Sequence, residues 1–192
     1  MRLILASKNR HKAQEMQEIL GDKITLITQD EAGVGNLEVI EDGDTFEANA
    51  IKKAKTVMEA TGLPCIADDS GLCVDALGGA PGIYTARFAG EGATDDQNIQ
   101  KLLAELDGVE QEKRTARFVC VIALCVPGKE PQTFRGECEG IILTEKHGEN
   151  GFGYDPVFYV EQFGKAMAEL PSEVKNSISH RSRALAKLRI ED

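Results

Sequence analysis

The sequence predicts an α/β fold built on a mixed, twisted sheet with flanking helices. Three observations carry the prediction. A short apolar run at residues 2–6 opens directly into a segment of helical spacing, and the same strand-then-helix order returns before residue 67. Two long β-rich runs, 115–126 and 133–143, are then separated only by Pro127-Gly128.

Residues 2–6, RLILA, read as a buried strand that stops at Ser7-Lys8-Asn9, after which Ala13, Met16, Ile19 and Leu20 recur at helical spacing. Residues 24–27 suggest a second strand, followed by a loop rich in glycine and acids over 29–44. Asp44 or Thr45 can cap the next helix, whose apolar stripe of Phe46, Ala50, Ala54, Val57 and Met58 ends near Gly62. Pro64 opens another strand, with the core Cys65-Ile66-Ala67. Asp68-Asp69-Ser70-Gly71 are expected to mark its end, because acids and glycine favour turns. Six glycines and Pro81 between residues 71 and 92 predict a structured loop. Thr94 or Asp95 caps a helix carrying Ile99, Leu102, Leu103 and Leu106, which ends at Gly108. The tail, 179–190, returns to helix with Ala184, Leu185 and Leu188 on one side. No repeat or linker divides the 192 residues, so one domain is expected.

A net charge of -10, with no basic block, argues against nucleic-acid polymers and anionic membranes as partners, while leaving a small anionic substrate open. No apolar stretch approaches the roughly 20 residues of a membrane span, and MRLILASKNR is too short a run for a secretory signal, so a cytoplasmic location is expected. The five cysteines lack CxxC spacing and sit mostly in apolar runs, which predicts buried, reduced thiols.

Four segments can carry chemistry. The turn Ser7-Lys8-Asn9-Arg10-His11-Lys12 lies between a strand and a helix N-terminus, where free N–H groups, the helix dipole and two lysines favour phosphates; an ordinary capped surface helix would look similar. Adjacent carboxylates at Asp68 and Asp69 need a cation or donors to relieve their repulsion, and magnesium would serve, with Glu41 a further oxygen ligand if the acidic loop folds back. A solvated turn is the alternative there. Gly151-Phe152-Gly153-Tyr154-Asp155-Pro156 combines aromatics, glycines and an acid, suited either to a nucleobase or to a Gly-rich turn over a core ring. Lys175, His180 and Arg181 offer donors for phosphate or a base carbonyl, or a basic helix end.

Taken in order, these segments resemble the inosine triphosphate pyrophosphatase family, the Ham1-like pyrophosphatases of non-standard purine nucleoside triphosphates. The resemblance runs through Ser7-Lys8-Asn9 with Lys12, Thr45-Phe46 with Asn49-Ala50 and Lys53-Ala54, residues 67–72, residues 77–82 with Ala86-Arg87, residues 151–156 and Ser179-His180-Arg181. It implies two lobes around a central substrate cleft, a magnesium cofactor and a homodimer. It implies hydrolysis of inosine, deoxyinosine and xanthosine triphosphates to monophosphate and pyrophosphate. Asp69 is then the proton acceptor and a metal ligand, Glu41 a second ligand, and Ser70 a substrate contact. Residues 7–12 (Ser7, Lys8, Asn9, Arg10, His11, Lys12) hold the triphosphate with help from Lys53. Phe152, Gly153, Tyr154 and Asp155 frame the base, and Lys175, His180 and Arg181 complete its pocket. The chain departs from the pattern at Ala48, where many relatives carry glutamate; Glu47 beside it would face another side of the helix. A sister activity on pyrimidine or modified nucleotides, or a catalytically weak nucleotide-binding regulator, remain alternatives.

Overall fold

In the computed structural model, which describes residues 1–190, strand β1 (Arg2–Leu5) leads through the turn at residues 6–9 into helix α1 (Arg10–Leu20). Asn9 is its N-cap, its side chain accepting from the Lys12 N–H. Strand β2 (Thr25–Ile27) and the acidic loop follow, and then helix α2 (Phe46–Thr61), capped by Thr45 and closed by Gly62 in the left-handed conformation that a side chain disfavours.

Strand β3 corrects the sequence reading. It spans Cys65–Val74, so Asp68 and Asp69 lie in its middle and not in a turn at its end. Neither is solvated, Asp68 being 0% and Asp69 6% exposed. The strand continues because each acid meets buried or half-buried cations, which supply what water would otherwise provide. The expected loop after residue 71 accordingly begins only at Asp75, with two short 3-10 segments, Asp75–Leu77 and Gly82–Arg87.

Helix α3 (Asp95–Glu105) starts at a capping box between Thr94 and Gln97. The expected strand pair is present as β4 (Thr115–Cys125) and β5 (Gln132–Ile142). Short strands β6 (Phe158–Val160) and β7 (Lys165–Ala166) and helices α4 (Ser172–Ile178) and α5 (His180–Leu185) complete the chain. The helix expected over 179–190 is present as the shorter α5, which ends at Leu185, and the sequence reading did not include α4, which precedes it.

The strands form one mixed sheet in the order β2-β1-β3-β4-β5-β6-β7. β1 runs parallel to β2 and β3, whereas β6 runs antiparallel to β5 and β7. Two compact units share this chain. The first comprises residues 1–69, 120–136 and 180 onward, with a core of Leu3, Leu5, Met16, Ile66, Cys120, Ile122 and Leu185 among others. The second comprises residues 70–119 and 137–179, with a core that includes Leu72, Ile99, Leu102, Phe118, Ile142, Phe158 and Met167. Among the described residues no helix is long and apolar enough to cross a membrane. All five cysteines are free thiols, four of them buried, and burial pushes Cys65 up to about 12.

Candidate active site

In the first unit, α1, α2 and β3 bring Lys12, Lys53, Asp68 and Asp69 to one place, where the acidic loop and α5 add Glu41 and Arg181. α2 buries Phe46, Ala50, Ala54 and Val57, and this seating delivers Lys53 to the middle of β3. Its ammonium donates to the Asp68 carbonyl at 2.6 Å and lies 2.5 Å from Glu41 Oε1 and 3.7 Å from Asp69 Oδ1. Glu41 reaches Lys53 from the acidic loop because Asn49, buried on α2, grips that loop at Gly43, accepting from its N–H at 2.8 Å and donating to its carbonyl. A side chain at Gly43 would run into Asn49 and Ala48.

The adjacent aspartates are driven apart. Burial opposes charge on Asp68, but Lys12, then Arg181 and Lys53, outweigh it and hold the carboxyl well below the usual range. For Asp69 burial prevails and pushes it up to about 6, with Lys53 and Lys12 restraining the rise and Glu41 and Asp68 adding to it. Asp69 Oδ2 is buried with no hydrogen-bond partner among the described residues. Lys53 stays protonated: its carboxylate neighbours raise it further than burial lowers it.

The turn preceding α1 is a folded unit in which Ser7 Oγ accepts from the Asn9 N–H at 3.1 Å and Asn9 Oδ1 from the Lys12 N–H at 3.2 Å. Lys8, Asn9, Arg10 and His11 are exposed, with Lys8 3.8 Å from the still more exposed Glu38, whereas Lys12 turns inward to within 3.2 Å of Asp68 Oδ1. On α5, His180 is 6% exposed, and Arg181, 1% exposed, directs its guanidinium onto Asp68 and Glu15. Glu47 pairs with Arg135 at 2.9 Å, so the acid beside Ala48 is committed elsewhere, as the helix geometry predicts.

The second unit holds the Gly-rich loop. Gly151, at φ 73°, leaves room for the Asp155 carboxylate that a side chain there would strike. Asp155 accepts from the Phe152 N–H at 3.2 Å and from Lys175 at 2.7 Å, and the Lys175 ammonium stands 4.7 Å from the Phe152 ring centroid. The Gly153 N–H donates to Asp95 at 2.9 Å. Tyr154 is buried and donates its hydroxyl to the Thr85 carbonyl at 2.8 Å, so it anchors the loop from below. Ser70, half-buried, follows Asp69 on β3 as the first residue of this unit.

Sequence reasoning missed Glu15, Thr85 and Asp95. Each has ordinary helix or turn spacing and acts only through partners distant in sequence. Among the described residues no three His, Cys, Asp or Glu side chains form a metal-ligating group. Magnesium nevertheless fits, since it commonly takes one or two carboxylates and completes its shell with water and phosphate oxygens. Glu41 and Asp69, the carboxylates on either side of the Lys53 ammonium, would provide such a pair, with Asp69 Oδ2 the oxygen left without a partner.

A mixed sheet with buried carboxylates set among lysines on one strand defines an α/β protein with a dense cluster of buried charge. The chain belongs to the Ham1 family, whose profile matches residues 3–191. It is 53% identical to the dITP/XTP pyrophosphatase of Geobacter sulfurreducens, covering 98% of this chain and 94% of that protein. It is 52% identical to the enzyme of the same name from Shouchella clausii, covering 97% and 94%. The Staphylococcus aureus Ham1 protein superposes with a TM-score of 0.87 at 45% identity, covering 97% of this chain and 95% of that one. The Coxiella burnetii HAM1 protein gives 0.88 at 46% identity with the same coverage.

Proposed function

We propose that this protein hydrolyses non-standard purine nucleoside triphosphates, of the dITP, ITP and XTP type, to monophosphate and pyrophosphate. The observation that carries the reading is Asp69: a buried carboxylate with one unpartnered oxygen, held beside Lys53 and Glu41 in a chain half identical to dITP/XTP pyrophosphatases over nearly its full length.

In this reading Asp69 orients a water and accepts its proton as the water oxygen attacks the α-phosphorus, and the bond to the bridging α–β oxygen breaks to release pyrophosphate. A carboxyl near pH 6 is suited to that transfer, being ionised at neutral pH while retaining proton affinity. Lys53 places positive charge beside the developing phosphate charge, and the turn at residues 7–12 offers the N–H groups and ammonium of a helix start to the triphosphate. Magnesium would be held by Glu41 and Asp69 and would neutralise phosphate charge when bound. For the base, Phe152 supplies a flat face, with Gly153, Tyr154 and Asp155 fixing its loop, and Lys175, His180 and Ser70 supply polar contacts. Donors matched to a 6-oxo group would be left unpaired by adenine, at about 1–3 kcal/mol per group. The reading also takes the protein as a cytoplasmic homodimer, which sedimentation of the purified protein tests for its oligomeric part.

Pyrophosphate release from dITP, XTP, dGTP and dATP with magnesium is the direct test. Turnover of dITP and XTP well above the standard nucleotides, lost in Asp69→Asn, is expected; no turnover of any would reject the reading.

A further inference from the structure

Asp68 is the neighbour of the proposed proton acceptor and has no part in the reaction as described, yet it is the most completely buried acid near the site. One of its oxygens, Oδ2, is taken by Arg181, with Nη2 at 3.0 Å and Nε at 3.3 Å, and by the Cys120 thiol at 3.7 Å. Arg181 is itself fixed at its other end, where Nη1 meets Glu15 Oε2 on α1 at 2.5 Å. The second oxygen, Oδ1, accepts no aligned hydrogen bond but stands 3.2 Å from the Lys12 ammonium. The backbone carbonyl of the same residue accepts from Lys53.

This arrangement gives the two oxygens different work. Two guanidinium N–H groups of Arg181 on Oδ2 hold that oxygen in place, and Oδ1 is the one left facing Lys12. Attraction without an aligned hydrogen bond localises the ammonium while leaving its N–H groups free to donate to another anion. A flexible four-carbon side chain would otherwise sample many positions, and binding would have to pay for its ordering. The proximity of Glu15 and Lys12 on one face of α1 closes the chain from Glu15 to Arg181 to Asp68 to Lys12 upon the helix that begins at the phosphate turn.

We infer that Asp68 is a positioning residue for triphosphate binding: locked by Arg181, it holds the Lys12 ammonium ready for the substrate phosphates and takes no part in the chemical step. The inference rests on the proposed nucleotide hydrolysis only in assigning Lys12 to phosphates.

The test uses Asp68→Asn, Lys12→Met and the double variant, with two readouts: steady-state kinetics on dITP, and calorimetric binding of inorganic tripolyphosphate. Asp68→Asn is expected to raise KM and weaken tripolyphosphate binding about tenfold while kcat changes less than about threefold. In the Lys12→Met background the same change should add less than about twofold, because the residue through which it acts is gone. Equal effects in both backgrounds, or a collapse of kcat with unchanged tripolyphosphate binding, would overturn the inference. If Asp68→Asn does not fold, Asp68→Glu keeps the charge that Arg181 needs but displaces it by one methylene. It should weaken tripolyphosphate binding as well, and unchanged binding would count against the role. If the unmodified protein hydrolyses none of the nucleotides, the proposed function fails, while the calorimetric cycle still decides whether Asp68 acts through Lys12.

Discussion

Asp68 and Asp69 share a strand and a charge, but their surroundings give them opposite standing. Asp68 is overcompensated by Lys12 and Arg181 and remains an anion, so breaking its buried pair should cost about 3–5 kcal/mol. Asp69 is undercompensated, and its carboxyl, ordinarily near 3.8, sits at about 6 in the fold. Because the folded value lies above the unfolded one, the folded state favours the protonated form. The resulting cost is absent below pH 4, grows as pH rises through the folded value, and is fully present above it. In metal-free protein, Asp69→Asn should therefore increase stability at pH 8 by about 3 kcal/mol, while abolishing hydrolysis. Urea denaturation with a chelator present would show it, and the advantage should vanish near pH 4; an Asn variant less stable at pH 8 would contradict the stated balance of burial and charge. Tyr154 illustrates the other kind of site residue. Its hydroxyl satisfies the Thr85 carbonyl, and Thr85 Oγ1 in turn accepts from the Leu72 N–H on β3. Tyr154→Phe should cost about 1–2 kcal/mol in urea denaturation.

Among the elements, those whose signals are local were legible in the sequence: β1, α1, the start of α2 at Asp44 or Thr45, the start of α3 at Thr94 or Asp95, and the β4 and β5 pair. The length of β3 was not. An Asp-Asp-Ser-Gly run reads as a turn, and only Lys12, Lys53 and Arg181, separated from it by up to 113 residues, make it a strand interior. Helix α4, seven residues long and directly before the predicted tail helix, was not read at all, and the tail helix was read five residues too long at its C-terminal end. Of the residues nominated for chemistry in the first unit, Lys12, Lys53 and Arg181 meet the acids of β3 and Glu41 meets Lys53, whereas Lys8, Asn9, Arg10 and His11 stay exposed on the turn, and the role of Glu15 had no sequence signal. Position 48 is the N3 site of α2, where the Ala48 N–H donates to Thr45 Oγ1 at 3.0 Å. Ala48→Glu would add the reciprocal bond to the Thr45 N–H, and should stabilise the protein by about 0.5–1 kcal/mol in urea denaturation. Gly136, on β5, works in the opposite direction: any side chain there would meet the His180 carbonyl and the backbone at Arg183 and Ala184. Gly136→Ala should force α5 outward, lowering stability by about 1–3 kcal/mol and reducing activity by displacing His180 and Arg181. Unchanged kinetics in that variant would show that α5 tolerates the shift.

At the scale of the molecule, the chain passes between its two compact units four times, at 69/70, 119/120, 136/137 and 179/180. Three of these passages fall inside continuous strands, β3, β4 and β5, so each unit's core includes one part of a strand whose remainder belongs to the other. Neither unit is a contiguous stretch that could keep its fold while the rest of the chain lost its own. Unravelling the first would release the ends of β3, β4 and β5, and the backbone order that those strands bring to the second core would go with them. Unfolding should therefore be a single cooperative transition. The composition supplies a selective probe, because there is no tryptophan and all three tyrosines, Tyr84, Tyr154 and Tyr159, belong to the second unit. Tyrosine fluorescence reports that unit alone, whereas far-ultraviolet circular dichroism reports both. Coincident midpoints and slopes in urea are expected from the two signals. A tyrosine transition displaced from the dichroism would mean that the strands can fray at the unit boundary, leaving one core intact while the other opens.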